Sequence, residues 1–278
     1  MSIYPKVIGL VTTYKSEHLI IATLETLAAQ DYPNFEVIIC DDYSPDNTFT
    51  ICCDFATQHP NFKVIRNESN LGWFANSEKG WKIAVDQSDY CFLSPHDDHL
   101  LPAFVSEQVE IMTQNPKAVL CIPGMENRFK DGNRFISTYL NPTEKPDPVD
   151  RVLSILDRGG HHWWAAYHGL FKSSTVKQII PVKKLRFGEK EFCADLLWLI
   201  EISFLGEFVH SKNVLFSKNY DSKSLSASWK HGILNKAALW IGILDCIKQS
   251  PLLGDEKGRI RKGIFSLFTR KIARRIKI

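Results

Sequence analysis

The sequence has no uninterrupted apolar run that approaches the roughly 20 residues a membrane-spanning helix requires. We therefore expect that the chain is not an integral membrane protein. The first residues also lead directly into a strand pattern and lack the apolar core of a secretory signal peptide. A cytoplasmic protein is the expectation that follows from these two absences.

Cysteine is present but is not arranged as a structural framework. The seven cysteines have no regular spacing, no Cys-x-x-Cys pair occurs, and only Cys52 and Cys53 are adjacent. This pattern argues against a disulfide scaffold and a cysteine zinc site. It predicts buried thiols in a reducing compartment.

Acidic residues are missing from the end of the chain, where eight basic residues lie between position 259 and the last residue. Apolar residues recur there every four positions, at Ile260, Ile264, Phe268, Ile272 and Ile276. This spacing predicts an amphipathic helix that can lie on an anionic membrane surface, at the inner face of the cell membrane. The alternative is a helix that packs on the protein and leaves a basic face in solvent. Nucleic acid is not an expected partner, because no recognised binding motif accompanies the charge.

Strands and helices alternate at short intervals over the first part of the chain. Short apolar or β-branched runs predict strands at 6–11, 35–40, 62–66, 88–93 and 118–122, and apolar stripes predict helices at 17–30, 49–59 and 73–87. The alternation predicts an α/β fold with a mostly parallel, Rossmann-like sheet flanked by helices. We expect residues 1–228 to form this domain and residues 229–278 to form a helical, basic extension. The proline-rich segment 141–148 is expected to cover a cleft as a loop.

Acidic pairs follow two of the predicted strands. Asp41 and Asp42 come directly after the second strand, and Asp97 and Asp98 follow the fourth. Because the carboxyl ends of parallel strands share one edge of a sheet, these carboxylates are expected to lie near one another. Mg²⁺ and Mn²⁺ take one or two carboxylates and leave room for substrate phosphates. The alternative for Asp97 and Asp98 is the start of a helix, where Asp is favoured.

An ordered set of motifs runs from about Val7 to Ser226. The set comprises Thr12-Thr13-Tyr14, the stretch from Asp41 to Thr48, Asn70-Leu71-Gly72 with Asn76, His96-Asp97-Asp98, Ala194-Asp195-Leu196-Leu197 and Ser224-Leu225-Ser226. Together these motifs resemble the inverting glycosyltransferases of family 2, which have the GT-A fold. The resemblance implies an enzyme that moves a hexosyl group from a nucleotide-diphospho-sugar, with a UDP-sugar favoured, to an acceptor hydroxyl. It also implies a role in bacterial surface polysaccharide assembly, on a carbohydrate or lipid-linked saccharide acceptor.

The resemblance assigns roles to the strand-end residues. Residues expected to bind the nucleotide or the donor sugar are Thr13, Tyr14, Asp41, Asp42, Asn70 and Asp98. Tyr14 is expected to stack on the base, and the alternative is a core aromatic under the sheet edge. Asp98 is expected at the ribose or the donor sugar.

The metal motif departs from the family pattern at its first acid, where this chain has Pro95. The resemblance leaves Asp97 as the ligand of Mn²⁺ or Mg²⁺. Asp221 stands where many relatives have a histidine ligand, and a carboxylate can fill that place.

The resemblance also assigns a general base and an acceptor surface. Asp195, near the start of an apolar helix, is expected to take the acceptor proton, and the alternative is an acid that stabilises the helix N-terminus. Glu189 and Glu191 are close enough in sequence to be confused with it. Trp163 and Trp164 are expected to bind the acceptor sugar, against the alternative of core filling.

Two other functions stay open from the sequence. A sugar-1-phosphate nucleotidyltransferase can share the α/β architecture, although its glycine-rich loop is missing after the first strand. The other function is a degenerate nucleotide-binding domain with an assembly role. Pro95 supports it, because the first acid of the metal motif is missing there.

Overall fold

A sheet of nine strands runs through the part of the chain that the structure describes. This computed structural model describes residues 4–157, 164–220 and 232–276, with side chains through residue 270. The strands are β1 (Val7–Thr13), β2 (Phe35–Asp41), β3 (Phe62–Arg66), β4 (Tyr90–Pro95), β5 (His99–Leu100), β6 (Ala118–Phe129), β7 (Arg134–Ser137), β8 (Leu170–Lys172) and β9 (Glu207–Tyr220). The helices are α1 (Ile20–Ala28), α2 (Thr48–Gln58), α3 (Trp73–Gln87), α4 (Phe104–Gln114), α5 (Pro148–Asp157), α6 (Trp164–Tyr167), α7 (Ser173–Ile179), α8 (Ala194–Ser203), α9 (Ile233–Gln249) and α10 (Gly254–Ile276).

The first four strands are parallel and lie in the order β3-β2-β1-β4. The apolar residues of β1 and β2 are buried on both faces, as expected for short β-branched strands covered by helices. The predicted α/β fold is confirmed. The strand order reverses at β1, so the crevice where such folds bind ligands lies beyond the carboxyl ends of β1 and β4.

The second half of the sheet mixes directions. Strand β8 is antiparallel to β4 and β6, β9 is parallel to β6, and the short β5 is antiparallel to β9. Strand β6 extends well beyond the predicted 118–122, because its polar end pairs with β7 and β9. Through these pairings the end of β9 lies next to the turn that follows β4, where the Asn219 N–H donates to Asp98.

The prediction that segment 141–148 covers the cleft is wrong. Thr143 forms a bridge with Phe208, near the start of β9. Lys218, at the other end of β9, is ten residues further along, or roughly 33 Å for an extended strand. The segment therefore lies far from the edge where β1, β2 and β4 end.

The helix α10 packs against α5 with its apolar stripe. Ile260, Ile264 and Leu267 are buried, and a side chain at Gly263 would meet Leu153 at 2.5 Å. Arg259 also donates to the carboxylate of Asp147 at 2.7 Å. This part of the stripe therefore packs on the protein, which was the alternative to the membrane-bound helix. The division at residue 228 stays a prediction.

No helix within the described ranges has both the length and the apolarity needed to cross a membrane.

Candidate active site

The ends of three parallel strands form a level edge. Thr13 at the end of β1 is in register with Asp41 at the end of β2, and Thr12 is in register with Pro95 at the end of β4. The predicted site residues that lie at or just beyond this edge are Thr13, Tyr14, Asp41, Asp42, Asp97 and Asp98. The sheet thus brings together residues that lie far apart in the sequence.

The carboxylate of Asp41 is fully buried and is occupied by protein donors. It accepts hydrogen bonds from the Thr13 hydroxyl at 3.3 Å and from the Ser44 backbone N–H at 3.1 Å. The Arg66 guanidinium lies 3.4 Å from its second oxygen. Asp41 therefore holds the loop that follows β2. Whether it also contacts a nucleotide stays a prediction.

The carboxylate of Asp42 organises a second loop in the same way. One oxygen accepts from the Asn67 amide and the Leu71 N–H, both at 2.8 Å, and the other accepts from the Gly72 N–H at 2.8 Å. Asn70 is exposed and its side chain also accepts from the Gly72 N–H, at 3.0 Å. Gly72 has a φ of +83°, a conformation that glycine adopts without strain.

Two exposed tyrosine rings stand beside these loops. Tyr14 is 38% exposed and Tyr43 is 52% exposed, so the alternative of Tyr14 as a core aromatic is wrong. The Arg66 guanidinium lies 5.0 Å from the centre of the Tyr43 ring. Both Tyr43 and Lys15 have a positive φ, which is uncommon for residues other than glycine and is typical of functional loops. Tyr43 was not among the predicted site residues, although it directly follows the acidic pair.

Asp98 is fully buried in the turn after β4. Its carboxylate accepts from the Lys218 ammonium at 3.0 Å and from the Asn219 N–H at 2.8 Å. Burial raises the pKa of Asp98 to about 6, although Lys218 acts in the opposite direction. At neutral pH the two residues therefore form an ion pair. As arranged here the Asp98 carboxylate contacts protein groups, and its predicted contact with the donor stays a prediction.

Asp97 differs from its neighbour because its side chain is only half-buried. No hydrogen bond or ion pair to its carboxylate occurs within the described ranges, while its backbone carbonyl accepts from the Asn219 amide at 2.7 Å. A single free carboxylate fits a hard cation that takes its other ligands from water and phosphate oxygens. The described residues hold no group of three or more acids, histidines and cysteines suited to a metal. Asp221, the other predicted ligand, lies outside them.

Lys218 is the central residue that the sequence analysis missed. Its side chain is 22% exposed and lies between Asp98 and the face of the Tyr220 ring, whose centre is 5.8 Å from the ammonium. Burial lowers the pKa of Lys218, but the Asp98 carboxylate outweighs that effect and the pKa lies above its ordinary value. Its position three residues before the predicted ligand Asp221 is the feature of the sequence that could have indicated a place in the site.

Asp195 lies in a small aromatic cavity between α3, α6 and α8. The cavity is lined by Trp73, Phe74, Ser77, Trp81, Tyr167, Val182, Ala194, Asp195 and Trp198. Burial raises the pKa of Asp195 to about 7, against the Leu196 N–H that donates to the carboxylate at 3.0 Å. Lys218 is near enough to lower this pKa. A carboxyl that titrates near neutral pH is suited to accept a proton.

Two further features mark this cavity. Cys193, just before α8, has a φ of +52°. The buried indole N–H groups of Trp73 and Trp198 have no hydrogen-bond partner among the residues described. Glu189 and Glu191 do not line the cavity, and the N–H of Glu189 donates to Asn235 of α9. Of the three acids considered from the sequence, Asp195 is the one that lines this cavity.

Aromatic rings also line the end of β9. The Tyr220 ring stacks on Phe129 with 4.7 Å between centroids and 9° between planes, and Phe129 stacks on Phe135 at 5.8 Å. Trp164, one of the predicted acceptor-binding residues, lies beside Tyr220. Trp163 lies outside the described residues. Phe129 and Phe135 were not predicted for the site, because strand β6 was expected to end earlier.

The sequence of this chain matches the family model described as Glycosyl transferase family 2 over residues 10–167, which is more than half of its length. The chain belongs to this glycosyltransferase family. The match covers the ends of β1, β2 and β4 and the turn that carries Asp97. Asp195 and Lys218 lie beyond the matched residues.

Relatives and solved structures agree with the family. The "Putative glycosyltransferase EpsH" of Bacillus subtilis is 26% identical over 211 residues, which are 74% of this chain and 58% of EpsH. The chain thus spans little more than half of that relative. An Escherichia coli UDP-Glc:alpha-D-GlcNAc-diphosphoundecaprenol beta-1,3-glucosyltransferase, WfaP, is 26% identical over 103 residues, 37% of this chain and 39% of WfaP. S. aureus TarS in complex with UDP-GlcNAc superposes with a TM-score of 0.69 at 16% identity, over 93% of this chain and 71% of TarS. The fold is therefore the predicted GT-A fold.

The raised pKa of Asp195 predicts an unusual pH dependence of stability. The folded protein keeps a proton on Asp195 that the unfolded chain releases near pH 4, so this carboxyl favours folding at low pH. That contribution is lost as the pH rises through about 7. Asp195→Asn, which cannot ionise, is expected to have a higher melting temperature than the unmodified protein at pH 8, and the difference should vanish near pH 4.

Melting curves from pH 4 to pH 8 measure this difference, with Glu191→Gln as the matched control outside the cavity. A stability loss of about 1 kcal/mol at every pH would instead indicate that Asp195 only caps its helix.

Proposed function

We propose that this chain is an inverting glycosyltransferase that moves a sugar from a UDP-sugar to an acceptor hydroxyl in bacterial surface polysaccharide assembly. The observation that carries the proposal is Asp195, a carboxyl with a pKa of about 7 that lines an aromatic cavity and lies near enough to Lys218 to interact with it electrostatically. Family membership and the name of EpsH support the class of reaction. The UDP-GlcNAc complex of TarS supports the choice of nucleotide.

The nucleotide in this proposal lies over the edge formed by β1 and β2. Tyr14 and Tyr43 offer exposed rings for the base, and Thr13 and Asn70 lie at the loops on either side. Asp41 and Asp42 contribute by fixing those loops through their buried carboxylates. A rigid edge of this kind lowers the conformational cost of binding, because the loops are ordered before the nucleotide arrives.

Asp97, together with Asp221, would hold Mn²⁺ or Mg²⁺ against the diphosphate. When bound, such a cation neutralises the charge that grows on the leaving phosphate oxygen. Asp97 suits this role because its carboxylate is accessible and has no described protein partner.

Asp195 takes the acceptor proton in the proposed reaction. The acceptor oxygen attacks the anomeric carbon, the bond from that carbon to the diphosphate oxygen breaks, and UDP leaves with the bonding electrons. Attack from the face opposite the leaving group inverts the configuration. Aromatic side chains surround Asp195 in the cavity, and the buried indole N–H groups of Trp73 and Trp198 are hydrogen-bond donors without a described partner.

Release of nucleoside diphosphate from a panel of UDP-, GDP- and dTDP-sugars, with and without Mn²⁺, tests the function. We expect release of UDP.

Asp97→Ala should lose the metal-dependent part of donor affinity, because it removes the accessible carboxylate. Asp195→Asn should keep donor affinity and lower turnover by about 10²–10⁴-fold, because base catalysis is lost.

Other outcomes point to the other functions. Production of pyrophosphate from a nucleoside triphosphate and a sugar phosphate would indicate a nucleotidyltransferase. Nucleotide binding without release from any donor would indicate a degenerate binding domain.

The stack of Tyr220, Phe129 and Phe135 is proposed to bind the acceptor, together with Trp164 and Trp163. Phe129 and Phe135 are 37% and 40% exposed, and Tyr220 is two residues from Lys218, so the rings continue the site toward solvent. Aromatic faces pack well on the apolar C–H faces of sugars and on lipid chains. The name of WfaP, which specifies a lipid-diphosphate-linked saccharide, supports an acceptor with both kinds of surface.

Phe129→Ala is expected to raise the KM for the acceptor by about 2- to 10-fold, since an aromatic contact contributes about 0.5–1.5 kcal/mol. UDP affinity should not change. Phe187→Ala is the matched control, because Phe187 is also 37% exposed and does not belong to the stack. Equal acceptor KM values for the two variants would remove the stack from the acceptor site.

The exposed face of α10 is proposed to contact an anionic membrane surface. Ile260 and Ile264 are not available for this contact, but Arg261, Lys262 and Phe265 are exposed on the same helix. Basic residues near such a surface contribute on the order of 1 kcal/mol each.

The double variant Arg261→Gln with Lys262→Gln is expected to bind anionic vesicles at least about 10-fold more weakly at low salt, because two such contributions are lost. Co-sedimentation measures this affinity, and Lys117→Gln with Lys212→Gln makes the same charge change at other exposed positions. If both double variants sediment alike, the helix face does not bind the membrane.

A further inference from the structure

Lys218 reaches the turn after β4 from a distant strand. Its ammonium lies 3.0 Å from one oxygen of Asp98, and the Asn219 N–H occupies the other oxygen at 2.8 Å. Asp98 is fully buried, and each of its carboxylate oxygens accepts a hydrogen bond from a protein group. The ion pair holds the Lys218 ammonium in place at the turn that follows β4.

The ammonium group of Lys218 has more donors than the protein uses. A lysine ammonium carries three N–H donors, and within the described ranges Asp98 is its one hydrogen-bond acceptor. The side chain is 22% exposed, so water reaches it only in part. Buried donors without acceptors are costly, which favours a guest that brings oxygen atoms to the other two.

The charges around Lys218 define what kind of guest fits. The carboxylates of Asp97 and Asp195 lie near enough to the Lys218 ammonium to interact with it electrostatically. Burial and the charge of Lys218 both lower the pKa of His168, so its imidazole is neutral. Pro95, in register with Thr12, stands where the family motif has an acid, so this edge of the sheet carries one negative charge fewer. An anionic guest therefore meets less repulsion here than in a site with the full acidic motif.

We propose that Lys218 binds the diphosphate of the donor directly and stabilises the negative charge on the departing nucleoside diphosphate. Its free N–H groups donate to phosphate oxygens, and no bond to lysine forms. The carbon–oxygen bond of the donor breaks with its electron pair on the phosphate oxygen, next to a cation that the protein itself supplies. This inference rests on the proposed function, and it gives nucleotide binding a component that needs no metal.

Binding of UDP and of uridine in the presence of EDTA tests this role by calorimetry. The unmodified protein is expected to bind UDP more tightly than uridine without metal. Lys218→Met should reduce UDP affinity by about 10- to 100-fold, since a charged hydrogen bond contributes about 1.5–3 kcal/mol, and uridine affinity should stay unchanged. Lys218→Arg should keep most of the UDP affinity. Lys212→Met is the control on the same strand, where the lysine is exposed.

A second variant separates phosphate binding from support of the buried carboxylate. Asp98→Asn combined with Lys218→Met removes both charges together, so no charge is left alone in the interior. This double variant should fold and should also bind UDP weakly in EDTA. If it folds and binds UDP as tightly as the unmodified protein, Lys218 serves only Asp98 and the inference is overturned.

The same experiment distinguishes a failure of the proposed function. If the unmodified protein binds no UDP with or without Mn²⁺, the choice of a UDP-sugar is wrong and the role of Lys218 falls with it. If the protein binds UDP with Mn²⁺ but no better than uridine in EDTA, the function stands and only the role of Lys218 is overturned.

Discussion

Three buried carboxylates at one edge of the sheet need hydrogen-bond donors, and the arrangement of the site follows from how the chain supplies them. Asp41 takes donors from Thr13, Ser44 and Arg66, and thereby fixes the loop after β2. Asp42 takes the N–H groups of residues 71 and 72, which orders the next loop. Asp98 takes Lys218 and the N–H of Asn219, which ties the turn after β4 to the end of β9. A carboxylate left without such donors would be strongly destabilising at this depth.

Because these carboxylates are occupied by protein donors, the proposed chemistry rests on the two acids that are only half-buried, Asp97 and Asp195. Asp97 stands in a polar turn with no described partner for its side chain, which suits an anion that binds a cation. Asp195 stands among aromatic rings that raise its pKa to about 7, which suits a group that accepts a proton and releases it again. Two residues of the same type thus acquire different capacities from their surroundings.

The parallel half of the fold and the strand-end motifs could be read from the sequence because their signals are local. Apolar β-branched runs mark β1 to β4, and the acids directly follow them in the chain. Lys218 could not be found in that way, since 120 residues separate it from Asp98 and only the pairing of β9 with β5 and β6 brings the two together. The exposed rings of Phe129 and Phe135 were missed for the same reason, because β6 continues past its apolar run only through its partners. Periodicity did predict the helix α10, but it could not tell whether the isoleucine stripe faces α5 or a lipid surface.

Pro95 affects both the end of strand β4 and the charge at this edge of the sheet. As the last residue of β4 it can sit in a central strand, because the ladder ends there and its missing N–H is not required. In place of an acid it leaves the edge between Thr12 and the Asp98 turn without a further negative charge. The remaining charges are Asp97, which is accessible, and the ion pair of Asp98 with Lys218, which is neutral as a whole. A site with fewer negative charges attracts a divalent cation less strongly and repels a diphosphate less strongly. In the proposed mechanism, the missing acid therefore favours phosphate held by protein groups such as Lys218 over phosphate held by a metal ion.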